Sequence, residues 1–357
     1  MKIIHTSDIH IDSPLSSRLT QSKVKERRSE LRSCLGRLIS DAERIGAKAI
    51  IIAGDLFDEG RISPRTAAYA LDVIREAKDV TFFYLEGNHE GDALRSVGLE
   101  MPENLLFFGD DWTYFNIGGV TIAGRNVITA GMFDTLSLPG DTKSIVVLHG
   151  DIRDGRCADG VIGLRDARDR GIDYLALGHY HSYSETRLAD GAVAVYSGTP
   201  EGRGFDETGE KGYVLIDTDE KELKYEFGPF AKRILHIFDV DITDAERTAD
   251  IDERAAEALL SVPEKDLVRV NLVGGYPPEL WKDIEGLCRK FEGRFYYFEV
   301  KDSSHPKINP DDYKYDRSLK GEFIRTVMAD DSIDDGMKAR IISCGINALM
   351  GEELFGE

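Results

Sequence analysis

Histidines and acidic or amide side chains follow five short apolar segments in the first part of the chain. The motifs are Asp8-Ile9-His10, Gly54-Asp55, Gly87-Asn88-His89, His149-Gly150 and Gly178-His179-Tyr180-His181. One such motif alone would carry little information, because a histidine next to a strand is usually a structural residue. Five of the eight histidines fall into this pattern, so their joint occurrence indicates one common site.

The donors in these motifs are imidazole nitrogens, carboxylate oxygens and one amide oxygen. This mixture suits Mn(II) or iron best, with Zn(II) as an alternative. Seven ligands are too many for one ion and suitable for two ions that share a carboxylate. The first ion is predicted to bind Asp8, His10, Asp55 and His181, and the second Asp55, Asn88, His149 and His179, so that Asp55 bridges.

Three further residues near these ligands have predicted roles. His89 follows Asn88 and is predicted to be catalytic, as a general acid or a hydrogen-bond donor to a substrate oxygen in the transition state. Asp12 and Asp58 are predicted to accept hydrogen bonds from ligating imidazoles, and a role as turn residues is equally consistent with their positions.

Substrate contacts are predicted at Arg203, Arg18 and Lys23. Arg203 lies in a glycine-rich stretch and could hold a phosphate group. The alternative for Arg203 is an ion pair with Glu201 or Asp206.

A layered α/β fold would bring the motifs together, because ligands collect at the ends of strands. Strands are predicted at Lys2–Thr6, Lys48–Ala53, Thr81–Leu85, Val120–Ala123, Ser144–Leu148 and Tyr174–Leu177. Helices are predicted at Ser22–Ile45 and Ser63–Lys78, and antiparallel strands at Ala192–Tyr196, Gly212–Asp217 and Glu222–Phe227. This first domain is predicted to cover residues 1–230.

A smaller α+β domain is predicted for residues 231–301, followed by a polar linker, 302–317, and a pair of helices, 318–357. The smaller domain has a β-α-β-α-β pattern: Leu235–Ile242, Ala245–Ser261, Leu267–Val273, Pro278–Phe291 and Arg294–Val300. A chain of 357 residues is longer than one hydrophobic core usually accommodates, so its length also indicates two or more domains.

The net charge of −20 argues against a protein that holds nucleic acid by general positive charge. Between Arg18 and Arg37, however, the sequence contains seven basic residues and only two glutamates, which gives a local net charge of +5. This stretch could contact a polyanion, and the alternative is a solvated helix face.

A reduced, cytoplasmic protein is predicted from four scattered cysteines, which are expected to be small core residues. No apolar run approaches the length of a membrane span, and the first residues do not resemble a signal peptide.

The segments DIH, GDLFD, GNHE, HG and GHYH, in this order, resemble the five signatures of calcineurin-like metallophosphoesterases. The segments DIHIDSPL, YSGTPEGRGFDETGEKGYVLID, SLKGEF and CGINALMGEEL narrow the resemblance to SbcD-type DNA-repair nuclease subunits. The resemblance implies a core of two sheets flanked by helices, a capping domain and C-terminal helices that dock a partner. It also implies that the positions above are metal ligands, that His89 is catalytic and that the protein forms a homodimer.

Two residues depart from the pattern of the family. Glu90 follows GNH where many relatives have Asp, and its longer side chain could change how His89 is oriented. Asp58 follows GDLF where archaeal and eukaryotic relatives often have His.

The predicted function is an Mn(II)-dependent DNA exonuclease or endonuclease in repair, acting with an SbcC-type coiled-coil ATPase. Two divalent ions, Asp8, Asp55 and a hydroxide sum to a charge of about +1, which matches a phosphodiester better than a monoester. One alternative is a free-standing phosphodiesterase or phosphatase for small molecules or phosphoproteins. Another is a scaffold with a vestigial site.

Overall fold

The computed structural model describes residues 1–15, 19–58, 62–87, 93–220, 222–277, 280–307 and 309–350. These residues belong to two compact units, Met1–Leu235 and His236–Glu357.

The strands, in chain order, are β1 Lys2–Thr6, β2 Ala49–Ala53, β3 Thr81–Leu85, β4 Leu105–Phe107, β5 Thr113–Ile117, β6 Val120–Gly124, β7 Lys143–His149, β8 Asp151–Arg153, β9 Val161–Gly163, β10 Tyr174–Gly178, β11 Ser184–Arg187, β12 Val193–Tyr196, β13 Gly212–Asp217, β14 Lys224–Pro229, β15 Leu235–Asp241, β16 Leu267–Val273, β17 Gly275–Tyr276, β18 Tyr297–Asp302 and β19 His305–Pro306.

The α-helices are α1 Gln21–Arg32, α2 Cys34–Ile45, α3 Pro64–Glu76, α4 Ala93–Ser96, α5 Leu164–Ala167, α6 Thr248–Ala258, α7 Ile284–Phe291, α8 Leu319–Met328 and α9 Asp335–Met350. Short 3₁₀ helices lie at Met132–Thr135 and Pro310–Tyr313.

Two six-stranded mixed sheets form the first unit. The first sheet has the order β14-β13-β1-β2-β3-β4, with parallel pairing from β1 to β4 and antiparallel pairing of β13 with β1 and β14. The second sheet has the order β11-β12-β10-β7-β6-β5 and is parallel from β12 to β6. The predicted α/β fold with two sheets flanked by helices is confirmed.

The central strands of the first sheet are buried on both faces. Ile51 and Phe83 pack in the core between the two sheets, whereas Ile50 and Phe82 pack in the core that includes α2 and α3. Because both faces are covered, the sequences of these strands are continuously apolar and do not alternate between apolar and polar residues.

The helix predicted over Ser22–Ile45 is interrupted at Ser33, which lies between α1 and α2. The Ser33 hydroxyl donates to the carbonyl of Glu30 at 2.9 Å, a side-chain contact that bends helices. The start predicted at Ser63 is confirmed: its side chain accepts from the Thr66 amide at 3.1 Å, ahead of Pro64.

Strand β12 was predicted to be antiparallel, and this is only half right. It pairs antiparallel with β11 but parallel with β10. The prediction also missed the short strands β4, β5, β8, β9 and β11, which are three to five residues long. The four cysteines are free thiols, but Cys344 is exposed, so its predicted core position is wrong.

In the second unit, the sheet β15-β16-β18 packs against α6 and α7. Helix α8 packs against α9 through Ile324, Val327, Ile342 and Ile346.

Part of the predicted linker belongs to the structure of this unit, since β19 pairs in parallel with β17. The predicted helix over Pro278–Phe291 begins at Ile284, and Pro278 lies outside the described residues. The division into a capping domain, a linker and a docking element stays a prediction.

His5 joins the two sheets. It is fully buried on β1, and its Nδ1 lies 2.9 Å from the hydroxyl of Tyr174 on β10. Burial lowers the pKa of His5 to about 3, so its imidazole is neutral in the folded protein at neutral pH.

We expect His5 to make the protein sensitive to acid. In the unfolded chain the pKa of His5 is about 6.5, so the unfolded state gains a proton between pH 6.5 and 3 that the folded state does not. The free energy of unfolding should therefore fall as the pH falls, by about 2 kcal/mol between pH 7 and pH 5 from this group. Urea unfolding of the wild type and His5→Gln at both pH values measures the difference. Parallel pH dependences would contradict the prediction.

Candidate metal centre

The loops that follow β1 and β2 are held together by backbone hydrogen bonds. The amide of Asp8 donates to the carbonyl of Gly54 at 3.0 Å, and the amide of His10 donates to the carbonyl of Asp55 at 3.1 Å. The loop after β10 joins them, because the His179 amide donates to the Asp8 carboxylate at 3.1–3.2 Å. Three of the five sequence motifs thus meet at one edge of the fold.

Asp8 lies at the centre of this cluster and is completely buried. Its carboxylate forms one group with His10 and His181 and a second group with Asp55 and His149, and within each group the candidate ligand atoms lie within 4.8 Å of one another. Asp8 Oδ1 is 3.7 Å from His181 Nε2. Asp8 is therefore placed to contribute to two ions.

Asp55 lies between the imidazoles of the two groups. Its Oδ2 is 3.4 Å from His149 Nε2 and 3.9 Å from His10 Nε2. Asp55 was predicted to bridge, but among the described residues Asp8 is the carboxylate that both groups share. Which of the two bridges stays a prediction.

Hydrogen bonds orient two of the imidazoles toward these carboxylates. His149 Nδ1 lies 2.9 Å from the carbonyl of Ala53, and His181 Nδ1 lies 2.7 Å from Glu207 Oε1. Since a carbonyl or carboxylate oxygen only accepts, both Nδ1 atoms carry a proton, which leaves Nε2 as the atom of each ring that can bind a metal ion. This is the orientation that a metal ligand needs.

His179 lies next to His149, with ring centroids 5.4 Å apart. Its Nε2 is 3.7 Å from Oδ1 of the exposed Asp151, and its side chain is 37% exposed. Of the histidines assigned to ions, it is therefore the most open to solvent.

The backbone is strained at four of the predicted ligands. Asp8, His10 and Asp55 have φ angles of 51°, 46° and 52°. His179 has a φ angle of 108°. Residues other than glycine rarely adopt such values, and strain of this kind is typical of functional sites.

Two glycines leave room for the ligands. A Cβ atom on Gly87 would lie 1.8 Å from Asp55 Oδ1. Gly54 has a φ angle of +93°, and a Cβ there would lie 2.2 Å from His149 Nδ1. The glycines of two motifs therefore have a steric function.

The charges of the cluster fit a bound cation. Burial alone would lower the pKa of His149, but Asp55 and Asp8 raise it to about 9. The two buried carboxylates thus stabilise positive charge between them, and divalent ions would supply this charge in place of a proton. Oxygen and imidazole donors suit Mn(II), iron or Zn(II).

Four predicted site residues lie outside the described residues: Asn88, His89, Glu90 and Arg18. Lys23 lies on α1 and is partly buried. Their predicted roles in metal binding, catalysis or substrate binding stay predictions.

Arg203 is paired with Glu207 and Asp58, and not with Glu201 or Asp206. Its guanidinium lies 2.6 Å from Glu207 Oε1 and 3.0 Å from Asp58 Oδ1. Asp58 Oδ1 in turn lies 2.9 Å from His10 Nδ1. Asp12 accepts from the amide of Asp58 at 2.8 Å, and the structure shows it in this turn rather than against an imidazole.

Glu207 was missed by the sequence analysis. Burial alone would raise its pKa, but hydrogen bonds from His181 and Arg203 lower it to about 2, so it is ionised at neutral pH. The signal was present in the sequence, since Glu207 follows Arg203 by four residues in a glycine-rich segment.

A cleft of about 600 Å³ opens beside His149 and His179. It is also lined by the acidic residues Glu86, Asp110 and Asp151. A substrate can reach the His149 side of the cluster through this cleft.

The profile of the calcineurin-like phosphoesterases matches residues 1–185 of the chain. The chain belongs to this family of metallophosphoesterases, hydrolases that use two divalent metal ions. The cluster described above lies within the matched residues, apart from Arg203 and Glu207.

Among curated proteins, the chain is 24% identical over 311 residues to the uncharacterized metallophosphoesterase YhaO of Bacillus subtilis, across 82% of this chain and 76% of that protein. It is 26% identical over 236 residues to the DNA double-strand break repair protein Mre11 of Saccharolobus solfataricus, across 61% of this chain and 60% of that protein. Among solved structures, it is similar to TT1561 of Thermus thermophilus, with a TM-score of 0.42, 17% identity and coverage of 63% of this chain and 98% of that one.

The chain thus spans about three quarters of YhaO but less than two thirds of this Mre11. Within the described ranges, none of the helices has the length and apolar character needed to cross a membrane.

Proposed function

We propose that the protein is a two-metal phosphodiesterase that cleaves DNA as an exonuclease or endonuclease subunit in DNA repair, with Mn(II) as its metal. The observation that carries the proposal is the buried Asp8 carboxylate common to two groups of candidate ligands. Family membership and similarity to proteins named for double-strand break repair support it.

The residues of the chain prepare the site before substrate binds. Asp8 and Asp55 supply two buried negative charges, and Ala53 and Glu207 fix the imidazoles of His149 and His181. When bound, two divalent ions supply Lewis acidity toward a phosphoryl oxygen and make water a stronger nucleophile at neutral pH.

Proton transfer to the departing oxygen is assigned to His89. This role comes from its place in the GNH motif and stays part of the proposal. A phosphodiester is the favoured substrate, because its single negative charge matches the charge of two ions, two aspartates and a hydroxide.

Helix α1 carries a basic outer face, which we define as Lys25, Arg28 and Arg32. These exposed residues line an open groove of about 510 Å³ with Leu19 and Val24. In the part of the chain that the structure describes, no carboxylate forms an ion pair with any of the three cations.

The acids of the same helix are directed elsewhere. Glu26 and Glu30 pair with Arg233, and Lys232 lies 2.7 Å from Glu30. The charges of the helix are thus separated, and the basic outer face is suited to phosphates.

Only part of the predicted +5 stretch is available to a polyanion. Arg27 is buried and lies 3.2 Å from the buried Glu201, and Arg37 lies 2.7 Å from the same carboxylate. These two cations have a structural role.

We expect the double substitution Lys25→Glu/Arg32→Glu to weaken DNA binding by about 10- to 100-fold at low salt. The slope of log binding constant against log salt concentration should also become smaller by about two, because two phosphate contacts are lost. Hydrolysis of a bis-aryl phosphodiester should not change. Binding of fluorescent duplex DNA across a salt series measures the effect. Lys78→Glu/Arg165→Glu, with the same change in charge at exposed positions outside α1, is the control. Equal losses in both double variants would contradict a specific role for α1.

The proposed partner is an SbcC-type coiled-coil ATPase that docks on the C-terminal helices. α8 and α9 pack against each other but leave Leu319, Met328, Met337 and Leu349 exposed. A homodimer and a cytoplasmic location complete the proposal. A pull-down with this 357-residue chain as bait tests whether a long coiled-coil ATPase binds, and substitution of Met337 and Leu349 by serine should reduce its recovery.

A small-molecule phosphodiesterase or phosphatase is the second candidate. It is favoured by the three acidic side chains that line the cleft, since they would repel additional phosphate groups there.

Turnover of single- and double-stranded DNA, a bis-aryl phosphodiester and an aryl phosphomonoester, each with Mn(II), separates these functions. A DNA nuclease should cleave DNA and the diester and leave the monoester nearly untouched. Preference for the monoester would overturn the proposal, and cleavage of the diester without DNA would favour the second candidate.

A further inference from the structure

One arginine connects the carboxylates that lie behind two candidate ligands of the same group. Arg203 Nη1 donates to Asp58 Oδ1 at 3.0 Å, while Nη2 and Nε donate to Glu207 Oε1 at 2.6 and 3.0 Å. Its backbone amide also donates to Glu207 Oε2 at 2.7 Å. All three nitrogens of the guanidinium are therefore engaged with carboxylates of the protein.

Each of these carboxylates lies against the Nδ1 atom of a histidine. Asp58 Oδ1 is 2.9 Å from His10 Nδ1, and Glu207 Oε1 is 2.7 Å from His181 Nδ1. We call this set, His10-Asp58-Arg203-Glu207-His181, the arginine bridge. It connects loops after three different strands, because His10 follows β1, Asp58 follows β2 and His181 follows β10.

The arginine bridge serves only one of the two groups of candidate ligands. His10 and His181 belong to the group with Asp8, whereas His149 in the other group is oriented by the backbone carbonyl of Ala53. A carbonyl on a central strand does not depend on Arg203. The two ion positions are thus supported by different parts of the fold.

The bridge is also well shielded. The side chain of Arg203 is 16% exposed, that of Asp58 is 21% exposed and that of Glu207 is 3% exposed. Loss of the guanidinium would leave two neighbouring carboxylates without their shared cation, so both would move toward solvent or take up a proton. Either change would release His10 and His181 from their orientation.

We propose that Arg203 is a positioning residue that fixes His10 and His181 together, so that the ion held by Asp8, His10 and His181 depends on it and the ion on the Asp55 and His149 side does not. This inference rests on the proposed two-metal function. It replaces the sequence-based role of Arg203 as a contact to substrate phosphate.

The test is Mn(II) binding to the substrate-free protein. Calorimetry measures the number and affinity of the bound ions, and electron paramagnetic resonance shows whether they form a coupled pair. The wild type should bind two ions and show the spectrum of a coupled pair. Arg203→Met, which keeps an unbranched apolar stem but none of the hydrogen-bond donors, should bind one of the ions about 10- to 100-fold more weakly and show the spectrum of a single Mn(II). The affinity of the other ion should stay within about twofold.

Four further variants make the result specific. Arg203→Lys keeps the charge but cannot reach both carboxylates in the same way, and should recover only part of the affinity. His10→Ala should lose the same ion, and His10→Ala/Arg203→Met should lose no more than His10→Ala alone. Arg37→Met, which removes an arginine that pairs with the buried Glu201, is the matched control and should bind both ions as the wild type does.

The outcomes are distinct. If Arg203→Met binds both ions normally, or loses both equally, the inference is wrong while the two-metal function stands. If the wild type binds no Mn(II), the proposed function fails and the inference with it. If Arg203→Met does not fold, as judged by its circular dichroism, Asp58→Asn tests the same connection and should weaken the same single ion.

Discussion

Replacing Asp8 by asparagine should reduce kcat/KM for a phosphodiester by about 1000-fold or more and remove Mn(II) from the protein. Among the described residues, Asp8 is the carboxylate common to both groups of candidate ligands, and an uncharged amide cannot balance two divalent ions. Loss of a residue that only supports a ligand costs about 10- to 100-fold, so loss of a shared ligand should cost more. Activity against a bis-aryl phosphodiester and the Mn(II) content after desalting measure the two effects.

The same variant should remain folded. Asparagine is nearly the same size as aspartate, and its side-chain oxygen can still accept the hydrogen bond from the His179 amide. The metal-free variant should therefore still unfold in one cooperative thermal transition. Asp266→Asn is the matched control, because Asp266 is a buried aspartate that lies 3.1 Å from His236 in the second unit. Equal loss of activity in the two variants, or full activity in Asp8→Asn, would contradict the assigned role.

Replacing Gly87 by alanine should reduce kcat/KM by at least about 100-fold. The added Cβ would lie 1.8 Å from Asp55 Oδ1 and 2.5 Å from the Asp55 amide, closer than any real contact. The Asp55 carboxylate must then move away from His149, from which it is 3.4 Å distant, and the geometry of the second group is lost. Kinetics and Mn(II) stoichiometry report this displacement.

Gly140→Ala is the control for this substitution, because a Cβ at Gly140 meets nothing within 4 Å. It should leave activity and metal content unchanged. An active Gly87→Ala variant with two bound ions would show that the loop can shift without harm, and would contradict the tight packing seen around Asp55.

The sequence was sufficient to predict the central strands and the closeness of five of the predicted ligands, Asp8, His10, Asp55, His149 and His181. Strands such as Thr81–Leu85 are continuous apolar runs, because both of their faces are buried. Asp8, His10 and Asp55, which follow β1 and β2, are polar, buried and strained, a combination that stands out against the apolar core. Local pattern and chemistry therefore indicate the same site.

Contacts between distant segments could not be predicted in this way. The arginine bridge joins positions 10, 58 and 203, which no local spacing relates. The burial of Arg27 against Glu201 likewise depends on packing across 174 positions of the chain. The bend at Ser33 was missed because a serine inside an amphipathic pattern hardly changes the helical periodicity.

The position of β1 in the first sheet has a consequence for biogenesis. β1 carries the loop with Asp8 and His10, and it is flanked by β2 on one side and by β13 on the other, with Lys2 opposite Asp217. While the ribosome is still translating, the nascent chain has an open edge at β1 until β13 emerges. A fragment that ends near residue 185 should therefore expose the unpaired backbone groups of this strand edge and aggregate.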